Sequence, residues 1–139
     1  MIAKYSVLDR YTFARFVYGC LFDSSTTGQT CFDPLLFHYP ELALSYTDIE
    51  NTFMVGDVVK VSPILKSLKE NETYEAFFPK GRWVDLDTME VVEVTNIEGA
   101  MMNLTPQITV KKHLKPGGIV PLQYNFTADG QQELASSID

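Results

Sequence analysis

Asp85 and Asp87 stand two residues apart in the run Trp83-Val84-Asp85-Leu86-Asp87, and on a β-strand that spacing puts both carboxyl groups on one face. Two carboxylates on one face could act as nucleophile and proton carrier. Their setting argues for a quieter role. They follow Phe77-Phe78-Pro79-Lys80-Gly81, where Pro79 presets φ and Gly81 can take the positive φ of a tight reversal. The stretch 77–86 therefore reads as a hairpin of strand, turn and strand. Carboxylates beside a turn are usually solvated or bonded to local amides, so Asp85 is expected to be structural.

The remaining side chains with chemical potential are scattered. His38 and His113 stand far apart, and Cys20 and Cys31 match no zinc spacing. Two cysteines are also too few for a disulfide scaffold, and they read as small buried hydrophobes. No catalytic, metal-ligating or cofactor-binding residue emerges, and no cofactor is expected. Lys111-Lys112-His113-Leu114-Lys115 is the one basic cluster and reads as a solvated strand rim. Asn71, Asn103 and Asn125 each open an N-x-[ST] triplet, the signature of an N-glycosylation acceptor. Asn71, in a polar loop, is the best placed, and Asn103, with Pro106 following, the poorest.

The chain of 139 residues has the size of one ordinary domain, large enough to fold without a metal or a disulfide. Its net charge of -7 repels a phosphate backbone and argues against nucleic-acid partners. No apolar run is long enough for a membrane span. The N-terminus lacks the order of charged, apolar and small residues that marks a signal peptide, so a secretory address would lie outside this chain.

These residues need elements to place them. Ser6 and Asp9 form an S-x-x-D capping box, and apolar residues then recur at three and four over 7–22, with Thr12, Arg15, Gly19 and Asp23 as the single polar stripe. That predicts one helix whose apolar surface must be covered by other structure. Residues 23–28 end it, and 31–39 read as a buried strand apart from Asp33-Pro34. Residues 41–51 could form one or two helical turns. From Phe53 the period changes to two: strands are expected within 58–65, at 89–95 and 100–104, and at 108–110 and 119–122, with a polar loop at 66–73. Short strands at this spacing suggest an antiparallel sandwich or barrel. The tail 127–139 has little to bury and is expected to fray.

Five motifs in order resemble glycoside hydrolase family 31, the α-glucosidase and α-xylosidase family, in its C-terminal portion. They are Arg10-Tyr11 with Phe13, Tyr18 and Gly28; Pro34-Leu35-Leu36-Phe37-His38-Tyr39-Pro40; Phe53-Met54-Val55-Gly56 with Val61-Ser62-Pro63-Ile64-Leu65; the stretch 77–86, similar to Y-L-P-x-G-x-W-Y-D; and Lys115-Pro116-Gly117-Gly118-Ile119-Val120-Pro121-Leu122-Gln123. The sequence departs from the pattern at Asp33, where the family has arginine, at Arg15, where it has proline, and at Ser25, where histidine is common.

The resemblance implies an α+β, mainly β fold. Residues 1–51 would be the closing helix and strand of a (β/α)₈ catalytic barrel, and 52–126 the proximal C-terminal antiparallel β-sandwich. The change of period at Thr52 agrees with that division. It also implies that the two catalytic carboxyl groups lie on barrel strands upstream, and that Trp83-Val84-Asp85 only imitates the family's nucleophile motif. The chain is then the non-catalytic C-terminal part of an enzyme cleaving α-glucosidic bonds with retention, working in the secretory pathway. The alternative is a free-standing structural or interaction subunit derived from such an enzyme. The partner covering 7–22 is the upstream barrel in the first case and another subunit in the second.

Overall fold

The computed structural model describes residues 2–46, 51–69 and 72–123. Two helical segments, α1 (Ile2–Thr12) and α2 (Ala14–Thr27), precede β1 (Phe32–Pro34), β2 (Phe53–Val55), β3 (Val59–Ser62), β4 (Tyr74–Phe78), β5 (Gly81–Asp85), β6 (Val91–Val94), β7 (Ala100–Leu104) and β8 (Lys111–Leu114). The strands form a six-stranded antiparallel sheet ordered β1-β2-β3-β8-β5-β6 and a two-stranded sheet β4-β7. The result is the mainly antiparallel sandwich with helices that the period-two pattern implied.

Alternation along the strands divides the side chains of the larger sheet between two faces. Val55, Val59 and Val61 cluster with Phe16, Val17 and Cys20 of the helical arm, and with Leu86 and Val120. Met54, Trp83 and Val94 turn the other way and meet Ala76, Phe77, Phe78 and Leu104 of the small sheet, with Leu35 and Leu42 closing the cluster. The chain enters this second core through a 3₁₀ turn at Leu35–Phe37.

Several expectations change. The stretch 77–86 is not a hairpin: β4 pairs with β7, while β5 pairs with β6 and β8. Pro79 and Lys80 instead carry the chain from one sheet across to the other. Phe77, Phe78 and Trp83 are all fully buried, a condition that a lone two-stranded ribbon could not meet. The Trp83 Nε1–H donates to the carbonyl of Pro79 at 2.9 Å, tying the corner to the core. At Gly81 (φ 143) an added Cβ would lie 2.5 Å from Pro116 Cγ, so the corner admits no side chain there.

The helix begins at Ile2 and runs to Thr27 with a break at Phe13. Ser6 and Asp9 therefore lie inside it rather than at its start, and the Asp9 carboxylate accepts from Lys112 Nζ at 3.0 Å. At the far end, hydroxyls at 24–27 bond back to carbonyls three or four residues earlier, and Gly28 closes the helix in the left-handed region. The expected strand over 31–39 shrinks to Phe32–Pro34, since the chain turns 3₁₀ immediately after the proline. Ala43–Tyr46 forms a 3₁₀ turn within the expected 41–51, and residues 47–50 lie outside the described set. Residues 108–110 and 119–122 are not strands. The strand falls instead on Lys111–Leu114, the basic cluster itself.

Cys20 and Cys31 form a disulfide, with Cα atoms 5.5 Å apart, where two unpaired hydrophobes had been expected. Spacing in sequence could not show that the end of α2 lies beside the start of β1. Among the described residues no helix is long and apolar enough to cross a membrane.

Trp83→Ala should cost about 3–5 kcal/mol through the cavity it leaves. Trp83→Phe, which fills most of that volume but strands the Pro79 carbonyl, should cost about 1–3 kcal/mol. Urea unfolding followed by circular dichroism tests that order, and equal costs for the two variants would refute it.

Candidate functional site

One cross-strand row on the core face of the large sheet collects four buried titratable side chains. In register it runs Asp33 (β1), Met54 (β2), Lys60 (β3), His113 (β8) and Asp85 (β5). All five are buried, and Lys60 and His113 have no solvent exposure at all. Lys111 shares this face of β8 with His113, because strand alternation sends residues i and i+2 the same way. Lys112 goes to the opposite face.

Asp85 sits among cations and amides. Lys111 Nζ donates to its Oδ2, and the backbone N–H groups of Asp87 and Thr88 donate to Oδ1 at 2.8 and 3.1 Å. Burial pushes the Asp85 carboxyl up, but the Lys111 hydrogen bond, the two amides and the Lys111 charge outweigh it and hold the group below the ordinary carboxylate range. The local amides expected for Asp85 are present, and a buried ion pair is added to them. Asp87 does not share its face. β5 ends at Asp85, the chain turns over 86–88, and the exposed Asp87 carboxylate approaches Thr109 Oγ1 at 3.1 Å and Lys112 Nζ at 3.5 Å. The two carboxylates thus do not converge on a common space.

The basic cluster is not a solvated rim. Lys111 and Lys112 are each 6% exposed, and β8 lies inside the sheet between β3 and β5. Flanking acids make this tolerable: Asp85 for Lys111, and Asp9 with Asp87 for Lys112. Lys60 Nζ donates to Ser62 Oγ at 2.6 Å and lies 3.7 Å from the centroid of the Phe78 ring. That ring also meets the His113 imidazole edge to face, at 4.8 Å.

His113 is the most constrained group of the row. Neither ring nitrogen has a hydrogen-bond partner, and the nearest carboxylate oxygen, Asp85 Oδ2, is 3.9 Å from Nε2. Burial lowers its pKa most, the Lys60 charge lowers it further, Asp85 opposes, and Lys111 and Lys112 add to the fall, bringing it to about 4. At neutral pH the imidazole is uncharged.

A second polar grouping lies at the other end of the row. Asp33 Oδ1 accepts from Thr30 Oγ1, and Oδ2 lies 3.2 Å from His38 Nε2. Both residues border a cleft of about 820 Å³ that also touches Arg15, Asp23 and Asp57. Among the described residues no three histidine, cysteine, aspartate or glutamate side chains gather as a metal site would require. Asn103 lies exposed on β7 opposite Glu75, and Asn71 and Asn125 fall outside the described residues.

Reading the sequence missed the buried row because Lys111-Lys112-His113 looks uniformly polar. The available signal was alternation: residues 111 and 113 on one face and 112 on the other, with Asp85 on the adjacent strand and Asp87 just after it to match. Asp33 and His38 sat in a motif already marked, but their pairing depends on the 3₁₀ turn between them.

Comparison with known proteins gives a consistent answer. A family model described as the glycosyl hydrolase family 31 C-terminal domain matches residues 28–120. An α-glucosidase of Hordeum vulgare is 32% identical over 114 residues, covering 82% of this chain and 13% of that protein. A lysosomal α-glucosidase of Rattus norvegicus is 25% identical over 130 residues, again 82% of this chain and 13% of the relative. The chain therefore spans about an eighth of the relatives that it matches. The structure of a family 31 dextranase of Flavobacterium johnsoniae complexed with glucose superposes with a TM-score of 0.75 at 20% identity, over 88% of this chain and 14% of that one, which supports the fold.

The His113 environment sets an acid limit on stability. Its folded pKa lies below the unfolded value of 6.5, so on acidification the unfolded chain takes up a proton that the folded chain refuses. Stability is full above that value and falls as the pH drops toward 4. Asp85, also depressed, adds a loss only further down, as the pH falls through its folded pKa. Between pH 7 and 5 the His113 contribution should cost on the order of 2 kcal/mol. Denaturant midpoints at the two pH values measure it, and His113→Phe should flatten the difference. A wild-type midpoint that does not move over this range would refute the account.

Proposed function

This chain belongs to glycosyl hydrolase family 31, in its C-terminal domain, and we propose that it is the non-catalytic part of an α-glucosidase-like enzyme, a sandwich whose helical arm docks on the catalytic barrel. The parent enzyme hydrolyses α-glucosidic bonds with retention. Its nucleophile and acid/base, two carboxyl groups about 5 Å apart, belong to the barrel and not to this segment. On this reading residues 1–51 close the barrel and 52–126 form the proximal sandwich.

One observation carries the proposal: the two helices of the arm expose large apolar side chains close together in sequence. Tyr18 is 75% exposed and Phe22 59%, with Tyr5, Leu8, Tyr11 and Leu21 exposed on the same two helices. An apolar surface of that extent on a small domain marks a docking face. Asp85, the carboxylate most like a nucleophile in sequence, is held by Lys111 inside the sandwich and meets no substrate. The same open face suits the alternative, a free-standing subunit docked on a larger assembly, and that reading requires a stable complex in a pull-down.

The 139-residue chain alone should give no turnover of a chromogenic α-glucoside above buffer. In a longer enzyme that contains it, Asp85→Asn should cost about 3–5 kcal/mol of stability by leaving Lys111 buried without its counter-charge, while kcat of the folded enzyme stays unchanged. Turnover by the isolated chain that Asp85→Asn abolishes would overturn the reading.

The compartment proposed with this function is the secretory pathway. It rests on the three N-x-[ST] triplets, on the exposure of Asn103, and on the lysosomal α-glucosidase among the relatives. In material expressed through a secretory host, peptides bearing Asn71, Asn103 or Asn125 should lose a glycan mass on N-glycosidase treatment. Three unmodified asparagines would count against it.

A further inference from the structure

The helical arm holds the sandwich by few contacts. α2 buries no residue fully, and only Phe16, Val17 and Cys20 settle partway onto the Val55, Val59 and Val61 patch. Among the described residues the upper part of the arm has at least two polar fastenings. Lys112 Nζ donates to Asp9 at 3.0 Å, and the Gln123 amide donates to the Thr12 carbonyl at 2.9 Å. Both lie N-terminal to α2 itself. Over the last part of the arm, the covalent link from Cys20 to Cys31 crosses to the sheet.

The anchor at the sheet end is firm. Cys31 is buried, and its carbonyl accepts from the Gly56 N–H at 2.7 Å, which fixes it to the turn between β2 and β3. That turn presses on the arm at the same point: a Cβ at Gly56 would lie 3.4 Å from Phe16 Cζ and 3.6 Å from Cys20 Sγ. Cys20, by contrast, is only half-buried and borders the cleft of about 820 Å³ beside Arg15 and Asp23. A small thiol can therefore approach the bond from the arm side.

We propose that the Cys20–Cys31 disulfide is a redox clamp that sets the position of the arm, so that reduction frees α2 while the sandwich stays folded. The step is thiol–disulfide exchange with a dithiol. One thiolate of the dithiol attacks a sulfur of the pair and breaks the Cys20–Cys31 bond to give a mixed disulfide. The second thiolate closes on the first, and the two cysteines leave as thiols while the dithiol is oxidised to its cyclic disulfide. Two electrons pass to the protein and none are left over. The sandwich does not depend on the bond, because its own core, from Leu35 to Leu104, lies on the other face of the large sheet. The inference is independent of what the arm docks against.

The test uses the 139-residue chain. Alkylation under denaturing conditions without reductant should leave the peptides bearing Cys20 and Cys31 unmodified, and two alkylated cysteines would overturn the proposal at once. With dithiothreitol present, hydrogen exchange over residues 14–27 should accelerate at least tenfold, while the emission of Trp83, the only tryptophan, stays that of a buried indole. A Cys20→Ser, Cys31→Ser double variant should match the reduced protein. Unchanged exchange over 14–27 on reduction would refute the clamp. Loss of the buried Trp83 signal together with the arm would refute the separation of arm from sandwich, and reduced wild type supplies that reading even if the double variant fails to fold.

Discussion

The Lys111–Asp85 ion pair spans the seam between β8 and β5, and that seam decides whether the large sheet is one sheet or two. β1, β2 and β3 lie on one side of β8, and β5 and β6 on the other. The β5–β8 ladder is short, with Val84 opposite Leu114 and Asp85 opposite His113, extended by the Leu86 amide donating to the Lys112 carbonyl at 2.9 Å. Few backbone bonds hold the halves together, so the side chains beside them matter. A buried ion pair adds little net stability over an apolar pair, but removing one partner leaves a charge that nothing can solvate. The pair therefore acts as a specifier: β5 joins β8 in one register because only there do Asp85 and Lys111 meet.

This explains why a sequence with a nucleophile-like motif carries no exposed carboxylate at that point. Phe77, Phe78 and Trp83 need cover on every side, which they find by putting β4 and β5 in different sheets. The corner at Pro79 and Lys80 makes the crossing, and Asp85 is left at the end of β5, on the core face. A carboxylate there must be ionised and paired or else expelled. The Asx turn to Asp87 and Thr88 and the Lys111 ammonium donate three hydrogen bonds to it between them, and the same turn sends Asp87 away.

Much of the architecture was legible from pattern. Alternation after Phe53 marks a β domain, and Ala100–Leu104 is a strand within the residues that the pattern named. What failed did so for particular reasons. β8 was misplaced because Lys111, Lys112 and His113 are polar, and polarity implies burial only when partners arrive from elsewhere in the chain, here from Asp9, Asp85 and Asp87. The hairpin at 77–86 was local turn chemistry, correct about Pro79 and Gly81 but silent on which strands pair, since pairing is decided by where three aromatic rings can be buried. Asp33 carried a charge opposite to the family's arginine, and the structure gives it a donor, His38, and a hydroxyl, Thr30. The disulfide was invisible because eleven residues of separation fix no distance until helix and strand are laid side by side.

The same core bears on where such a domain can work. A disulfide that fastens the arm requires an oxidising environment while the bond forms, and glycan attachment at an N-x-[ST] asparagine such as the exposed Asn103 would require passage through one. Neither feature says anything about acidity. His113 does: with two unpartnered nitrogens and three lysines around it, the imidazole is held neutral, and every proton that the unfolded chain gains below the ordinary histidine range is gained at the expense of the fold. Replacing Asp85 by a neutral residue would worsen this, since its negative charge favours protonation of the ring against burial and the lysines. An oxidising address and an acidic one are thus separate physical demands on this chain. The arm is built for the first, and the core is costly in the second unless further parts of the polypeptide bind the folded state and raise its stability by mass action.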